Sequence, residues 1–299
     1  MLSILIPTYN YNIVSLVDSL HKQLIKTKIA FEIICLDDVS DEEFVQSNIK
    51  IDQLPFTTYV VSEQNKGIAV TRQLLTKKAK YDWIILLDAD TELIDDRFIT
   101  KYINVVHSGY DFIFGGFAYK GTKPQSDYLL RWTYGKRCEA VSADKRNKNP
   151  YKITIAANVL VKKNIYKSFK LDSIGKQYAM DYYFGAKLKE RNSSVLHIDN
   201  QVYHLGIEKS EAYLRKKEKA AETLLNLHNH KKINNHSNNL LKTFIILKKL
   251  KLNYLFSWFF NVSNKNMKQN LLGSNPWILL LQLYKLSYLC NIDLRKTDI

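Results

Sequence analysis

The chain has 299 residues, 46% of them hydrophobic and 12% aromatic, enough for one large or two modest packed domains and too much for a disordered polypeptide. It carries 44 Lys and Arg against 29 Asp and Glu, a formal charge of +15, and residues 208–299 hold 16 of the basic but only 6 of the acidic side chains. Three cysteines, Cys35, Cys138 and Cys290, are too few for a disulfide framework or a thiolate zinc site.

In chain order, LSILIP (2–7) has the continuous apolar character of a buried strand, and IVSLVDSLHKQLIK (13–26) the spacing of an amphipathic helix. FEIICLD (31–37) is strand-like, DEEFVQSNI (41–49) helical, TTYVVS (57–62) strand-like, GIAVTRQLLTKKA (67–79) helical and DWIILLD (82–88) a strand again. Apolar strands alternating with helices imply an α/β domain whose mainly parallel sheet is covered on both faces. Ligands of such sheets bind beyond the carboxyl ends of the strands. Further on, 110–121, 152–163 and 194–206 look strand-like and 181–191 helical. Beyond Gly206 the pattern is helical and lysine-rich, with helices expected over 208–230, 240–260 and 276–289. We therefore expect a catalytic domain over 1–207 and a basic helical region over 208–299.

The strand ends carry polar residues unusual for plain turns. Asp88 and Asp90 follow a buried strand two residues apart, which in extended geometry points them the same way. Hard oxygen ligands suit Mg²⁺ or Mn²⁺ and leave positions for phosphate oxygens. Asp37-Asp38 ends a second strand, and like charges gathered at one edge call for a cation or ligand donors. Between the two pairs lie Asn65-Lys66-Gly67 and Arg72, a glycine that permits close backbone approach and a guanidinium fork for phosphate or base. No G-x-G-x-x-G follows the first strand and no P-loop pattern occurs, so a nucleotide has to be held by side chains and a metal.

Taken in order, Ser3-Ile4-Leu5-Ile6-Pro7-Thr8-Tyr9-Asn10, Glu32 through Ser40, Asn65-Lys66-Gly67 with Arg72, and Leu87-Asp88-Ala89-Asp90 resemble the family 2 glycosyltransferases of GT-A fold. The resemblance implies inverting transfer of a sugar from a nucleotide diphosphate, a UDP-sugar by default, with Mn²⁺ or Mg²⁺ as cofactor. By position it implies that Thr8, Tyr9, Asp37, Asp38, Asn65, Gly67 and Arg72 border the nucleotide. Asp88 then faces the ribose or a metal water, Asp90 holds the metal, and His204 of Val202-Tyr203-His204-Leu205-Gly206 completes that site. The family's acidic pair opening a later helix is reduced here to Asp181, which is expected to be the general base, with Asp172 as alternative. Gly115-Gly116 and Ala157-Asn158 match regions that shape the donor-sugar pocket. The Q-x-x-R-W motif of polymer-forming members does not follow Asp181, so one sugar per encounter is expected, in assembly of a cell-surface glycan.

No stretch reaches the roughly 18 uninterrupted apolar residues of a spanning helix. A cytoplasmic protein is expected, held at a membrane surface by amphipathic, lysine-bearing helices with Tyr254, Trp258, Trp277, Tyr284 and Tyr288 at the boundary. That location suits a glycan or lipid-linked acceptor; nucleic acid is not expected as a partner, since the basic residues share their helices with bulky aliphatics. Two other functions fit the same residues, a non-catalytic sugar- or membrane-binding scaffold and a sugar nucleotidyltransferase. The latter normally shows a Gly-rich basic loop after the first strand, which Thr8-Tyr9-Asn10-Tyr11-Asn12 lacks.

Overall fold

The computed structural model describes residues 1–169 and 180–297; Asp172, the alternative base, lies outside the described residues. The chain opens with β1 (Leu2–Thr8), α1 (Val14–Thr27), β2 (Phe31–Asp37), α2 (Glu42–Asn48), β3 (Thr57–Val61), α3 (Ile68–Lys78) and β4 (Trp83–Leu87). Then come β5 (Thr91–Leu93), α4 (Phe98–Ile103), β6 (Phe112–Phe114), β7 (Phe117–Ala118), α5 (Leu129–Tyr134) and α6 (Ala143–Asn147). β8 (Asn158–Lys162), α7 (Lys163–Lys167), α8 (Met180–Glu190), β9 (Val195–His197) and β10 (Val202–His204) follow. Four helices close the chain: α9 (Ser210–Asn229), α10 (Asn239–Lys249), α11 (Asn253–Leu271) and α12 (Ile278–Thr297).

Among the described residues these elements form two compact units. The first comprises Met1–Ala118, 140–169 and Asn192–Gly206; the second collects Tyr119–Glu139, 180–191 and 207–297.

A seven-stranded sheet of order β3-β2-β1-β4-β8-β6-β9 organises the first unit. β1 lies between β2 and β4 and is parallel to both, and every one of its seven residues is buried. Removing each such Ile or Leu from water contributes about 1.5–3 kcal/mol, so this apolar run has to occupy the sheet's centre. Among the described strands the single reversal is β8, antiparallel to both β4 and β6. The chain leaves β1 toward β2 and β3, then returns to β4 on the other side of β1. That change of direction opens a crevice at the carboxyl ends of β1 and β4. A small second sheet, β5-β10-β7, pairs Thr91 with His204 and so carries the chain after Asp90 alongside the chain before Gly206.

In the second unit, α9, α10 and α12 bury Leu224, Leu225, Leu241, Phe244 and Leu289 together. Tyr213, Phe260, Leu271, Leu281 and Tyr284 make a second cluster from α9, α11 and α12. The helix expected over 240–260 is two helices: Lys251 takes a left-handed conformation (φ 58°) and breaks the run between α10 and α11. Tyr284, expected at a boundary with lipid, is fully buried instead, while Trp258 and Trp277 are exposed. Among the described residues no helix is long and apolar enough to cross a membrane.

Candidate active site

At the end of β1 the chain turns outward through Pro7, Thr8 and Tyr9. These residues line a cavity of about 260 Å³ with Asp38, Asn65, Gly67, Ile68 and Thr71. Thr8 is buried, whereas Tyr9 is 56% exposed, which leaves an aromatic face free for a planar ligand. Gly67 begins α3 with φ 81°, a conformation glycine adopts at little cost, and so brings the 65–67 backbone against β2. Five of the residues expected around a nucleotide, Thr8, Tyr9, Asp38, Asn65 and Gly67, are therefore brought together, with Pro7 beside them.

The two carboxylates of Asp37-Asp38 do not share that space. Consecutive residues leaving a strand point to opposite sides. Asp38 turns toward the cavity and accepts hydrogen bonds from the backbone N–H of Lys66 and Gly67, both at 2.7 Å, while the Asn65 side chain donates to its carbonyl. Asp37, expected beside the nucleotide, is buried and turned inward. It accepts from the Ser40 N–H at 2.6 Å, the Ser40 hydroxyl at 2.7 Å and the Tyr59 hydroxyl at 2.5 Å. Burial and this contact push the Tyr59 phenol up. Asp37 is thus an anchor of the 37–40 turn, where Val39 sits at φ 69°, a strained conformation for a β-branched residue.

The spacing of Asp88 and Asp90 suggests a pair facing one way, but β4 ends at Leu87 and Ala89-Asp90 form a turn, so strand alternation no longer applies. Asp88 accepts from the Arg72 guanidinium at 2.5 Å, an ion pair with side chains 24% and 11% exposed. Arg72 is thereby fixed from α3 against the end of β4. Asp90 belongs to a different group. Its carboxylate stands 3.5 Å from His204 Nε2, and its carbonyl accepts from the Leu205 N–H at 2.8 Å. The β5–β10 pairing enforces this meeting of residues more than a hundred positions apart.

Two further residues of this corner escaped sequence reasoning. A Cβ on Gly206 would lie 2.0 Å from Asp90 Oδ2, so only glycine leaves the carboxylate its position. Tyr11 lies near enough for Asp90 and Glu92 to act on it: burial first, then the two carboxylates, raise its phenol above the usual value. Among the described residues no group of three or more His, Cys, Asp and Glu side chains is arranged to hold a metal. One carboxylate and one imidazole at 3.5 Å, beside a residue without a side chain, nevertheless fit a divalent ion that takes its other ligands from water and phosphate.

Gly115-Gly116 and Asn158 form a tied node. The Asn158 amide donates to the carbonyls of Gly116 and Asn200, both at 2.9 Å, and accepts from the Tyr102 hydroxyl at 2.6 Å. Arg146 donates to the carbonyls of Phe114, Gly115 and Ile198 and to His197 Nδ1, so that its buried guanidinium braces the same turn. Burial pulls the His197 imidazole down to about 4. It is neutral, bridging Arg146 and the Pro150 carbonyl, and is structural.

Asp181 belongs to the second unit, in the first turn of α8, and is exposed. Its charge helps raise the adjoining Tyr182 phenol, after burial, to about 12.

The sheet order, the crevice at the strand ends and the carboxylate–imidazole corner define the class: a glycosyltransferase of GT-A fold. The fold is shared with a mannosyltransferase of Pyrobaculum calidifontis solved with GDP-Man and Mn²⁺ (TM-score 0.57, 12% identity, 99% of this chain and 86% of that one). It is also shared with residues 1–349 of S. aureus TarS solved with UDP (TM-score 0.52, 17% identity, 99% and 91%). The chain belongs to Glycosyl transferase family 2, whose profile matches residues 3–169. An uncharacterized glycosyltransferase of Haemophilus influenzae is 36% identical over 92 residues, an alignment spanning 30% of this chain and only 29% of that protein's length.

Proposed function

We propose that the protein transfers a sugar from a nucleotide-diphosphate donor to a hydroxyl acceptor, with inversion and one sugar per encounter. The cavity between Thr8-Tyr9 and the Asp38-held loop 65–67 is the observation that carries this proposal. Its size and its exposed tyrosine suit a nucleobase, and Arg72, held by Asp88, presents positive charge toward the ribose and phosphates. The GDP-Man found with one structural relative and the UDP found with the other support the same donor class, and the Mn²⁺ of the former supports a divalent ion. Asp90 and His204 are the residues that would hold that ion. When bound, it neutralises charge on the departing diphosphate. Asp181 takes the proton of the acceptor hydroxyl, a role one exposed carboxylate can fill. Uridine diphosphate is the default leaving group.

Calorimetry with uridine, guanosine and thymidine sugars, with and without Mn²⁺, tests the proposal. One donor class is expected to bind at least tenfold more tightly with the ion. Binding of none, in either condition, would reject it.

We further propose that the second unit rests on a membrane surface. α11 exposes Tyr254, Leu255, Trp258 and Val262 along one face, and Ile246, Leu250 and Leu252 are exposed just before it. Lys249, Lys251 and Lys265 are exposed along the same stretch, the composition of an interfacial helix facing anionic headgroups. Flotation with anionic vesicles should fall severalfold in a Leu255→Ser/Trp258→Ser variant, and equal flotation would dismiss the membrane role.

A further inference from the structure

Five segments of the second unit converge on a cluster of charged side chains, of which the transfer proposed above uses only Asp181. α5 supplies Arg131 and Tyr134, and a single π-turn at Gly135–Glu139 supplies Glu139. α8 supplies Asp181, α9 supplies Lys217 and α12 supplies Lys285. The anion Glu139 is already engaged: it accepts from Arg131 at 3.0 Å and from the Tyr119 hydroxyl. Arg131 is also closed between the rings of Tyr119 and Tyr213, at 5.3 and 5.1 Å.

The two lysines are left over. Lys217 Nζ stands 4.7 Å from the Tyr134 ring centre and Lys285 Nζ 5.7 Å from the same ring. Among the described residues neither forms an ion pair with a carboxylate; Glu139, Asp181 and Glu208 act on Lys217 from longer range, whereas Lys285 has only Lys217 and Cys138 beside it. Lys285 is only 6% exposed, on a helix whose neighbouring inward positions are Leu281, Tyr284 and Leu289. A buried ammonium without a counter-charge is costly, and an apolar side chain would pack there at no such cost. The cost is recovered if an anion enters. At the edge of the cluster Lys217 is half-buried and Asp181 exposed.

We propose that Lys217 and Lys285 form an anion site that takes a phosphate group carried by the acceptor. The acceptor is singled out because Lys217 lies within the electrostatic reach of Asp181, the proposed base, to which the attacking hydroxyl has to come; to that extent the inference rests on the function proposed above. Two ammonium groups over one aromatic ring grip tetrahedral oxyanions through point charge and freely turning donors. The electrostatics of the two lysines agree: burial and then the neighbouring Lys217 pull the Lys285 ammonium down to about 7, and burial lowers Lys217 as well. A bound phosphate reverses both, so anion binding should draw protons from solution near neutral pH.

The test titrates inorganic phosphate into the full chain in EDTA, so that no metal-held phosphate contributes. Wild type should bind, with Lys285→Met and Lys217→Met each weakening affinity at least tenfold and Asp90→Ala leaving it unchanged. Equal affinity in both lysine variants would overturn the proposal. Lys285→Met removes a desolvated charge and should melt higher than wild type, so a lost signal cannot be ascribed to unfolding; Lys217→Met, at a half-buried position, is the second check. A repeat with saturating UDP and Mn²⁺ separates the two sources of phosphate. Undiminished binding assigns the site to the acceptor, whereas displacement by UDP would overturn that assignment. Full transfer by Asp181→Asn would remove the base while leaving phosphate binding intact, so the two failures are distinguishable.

Discussion

The two units treat buried charge in opposite ways. In the first, three strand-end carboxylates have donors of their own: Asp37 has Ser40 and Tyr59, Asp38 has two backbone amides, and Asp88 has Arg72. In the second, Lys217 and Lys285 share one tyrosine ring and, among the described residues, neither has an ion-paired carboxylate. A rim whose charges are compensated internally is rigid before any ligand arrives, while an uncompensated interior is stable only at a cost that a ligand can lift. The first arrangement shapes a pocket; the second awaits an ion.

Breaking the metal corner of the first unit should have the largest effect. Asp90→Ala is expected to lower kcat/KM by about 10³-fold or more, in the range of losing a group that stabilises transition-state charge, and to abolish the Mn²⁺ dependence of donor binding. Steady-state rates at several Mn²⁺ concentrations check both.

The uncompensated side is sharpened by pH. The unfolded Lys285 titrates near 10.4, and the folded one near 7, so between these values the unfolded chain holds a proton that the folded chain lacks. Stability should therefore rise from about pH 7 to 10.5, and the Lys285 contribution is least favourable below 7. Urea midpoints of wild type minus Lys285→Met should climb over that range; a flat difference would show that Lys285 is not desolvated.

Gly206→Ala probes the corner more gently. The added methyl has to displace the Asp90 carboxylate, the movable end of a side chain, so the fold survives while the Mn²⁺ concentration for half-maximal activity rises about tenfold. The smallest effect is expected at Val39. Glycine there relieves the left-handed strain but loosens the unfolded chain, for a net gain of about 1 kcal/mol or less in a denaturant melt.

The sheet of the first unit was legible because uninterrupted Ile and Leu runs such as 2–7 and 82–88 fit only strands covered on both faces, and the polar residues capping them marked the crevice. Within that crevice, residue type carried less than local geometry. Asp37 and Asp38 are neighbours and so face opposite ways, and the turn at Ala89-Asp90 separates Asp88 from Asp90. Gly206 gave no signal, because its role is a clearance measured across the fold. The lysine site was equally silent: Arg131, Asp181, Lys217 and Lys285 are spread over more than 150 positions, and each alone has the pattern of a surface helix. The break at Lys251 was invisible for a simpler reason, since a left-handed lysine has no compositional mark.

Asp38 has a mechanical consequence. Because one carboxylate grips two successive amides of the segment leading into α3, that segment cannot peel away one residue at a time. The amide protons of Lys66 and Gly67 should exchange with deuterium at a common rate, and a bound nucleotide should slow both by the same factor, making this pair an isotope clock for occupancy of the cavity.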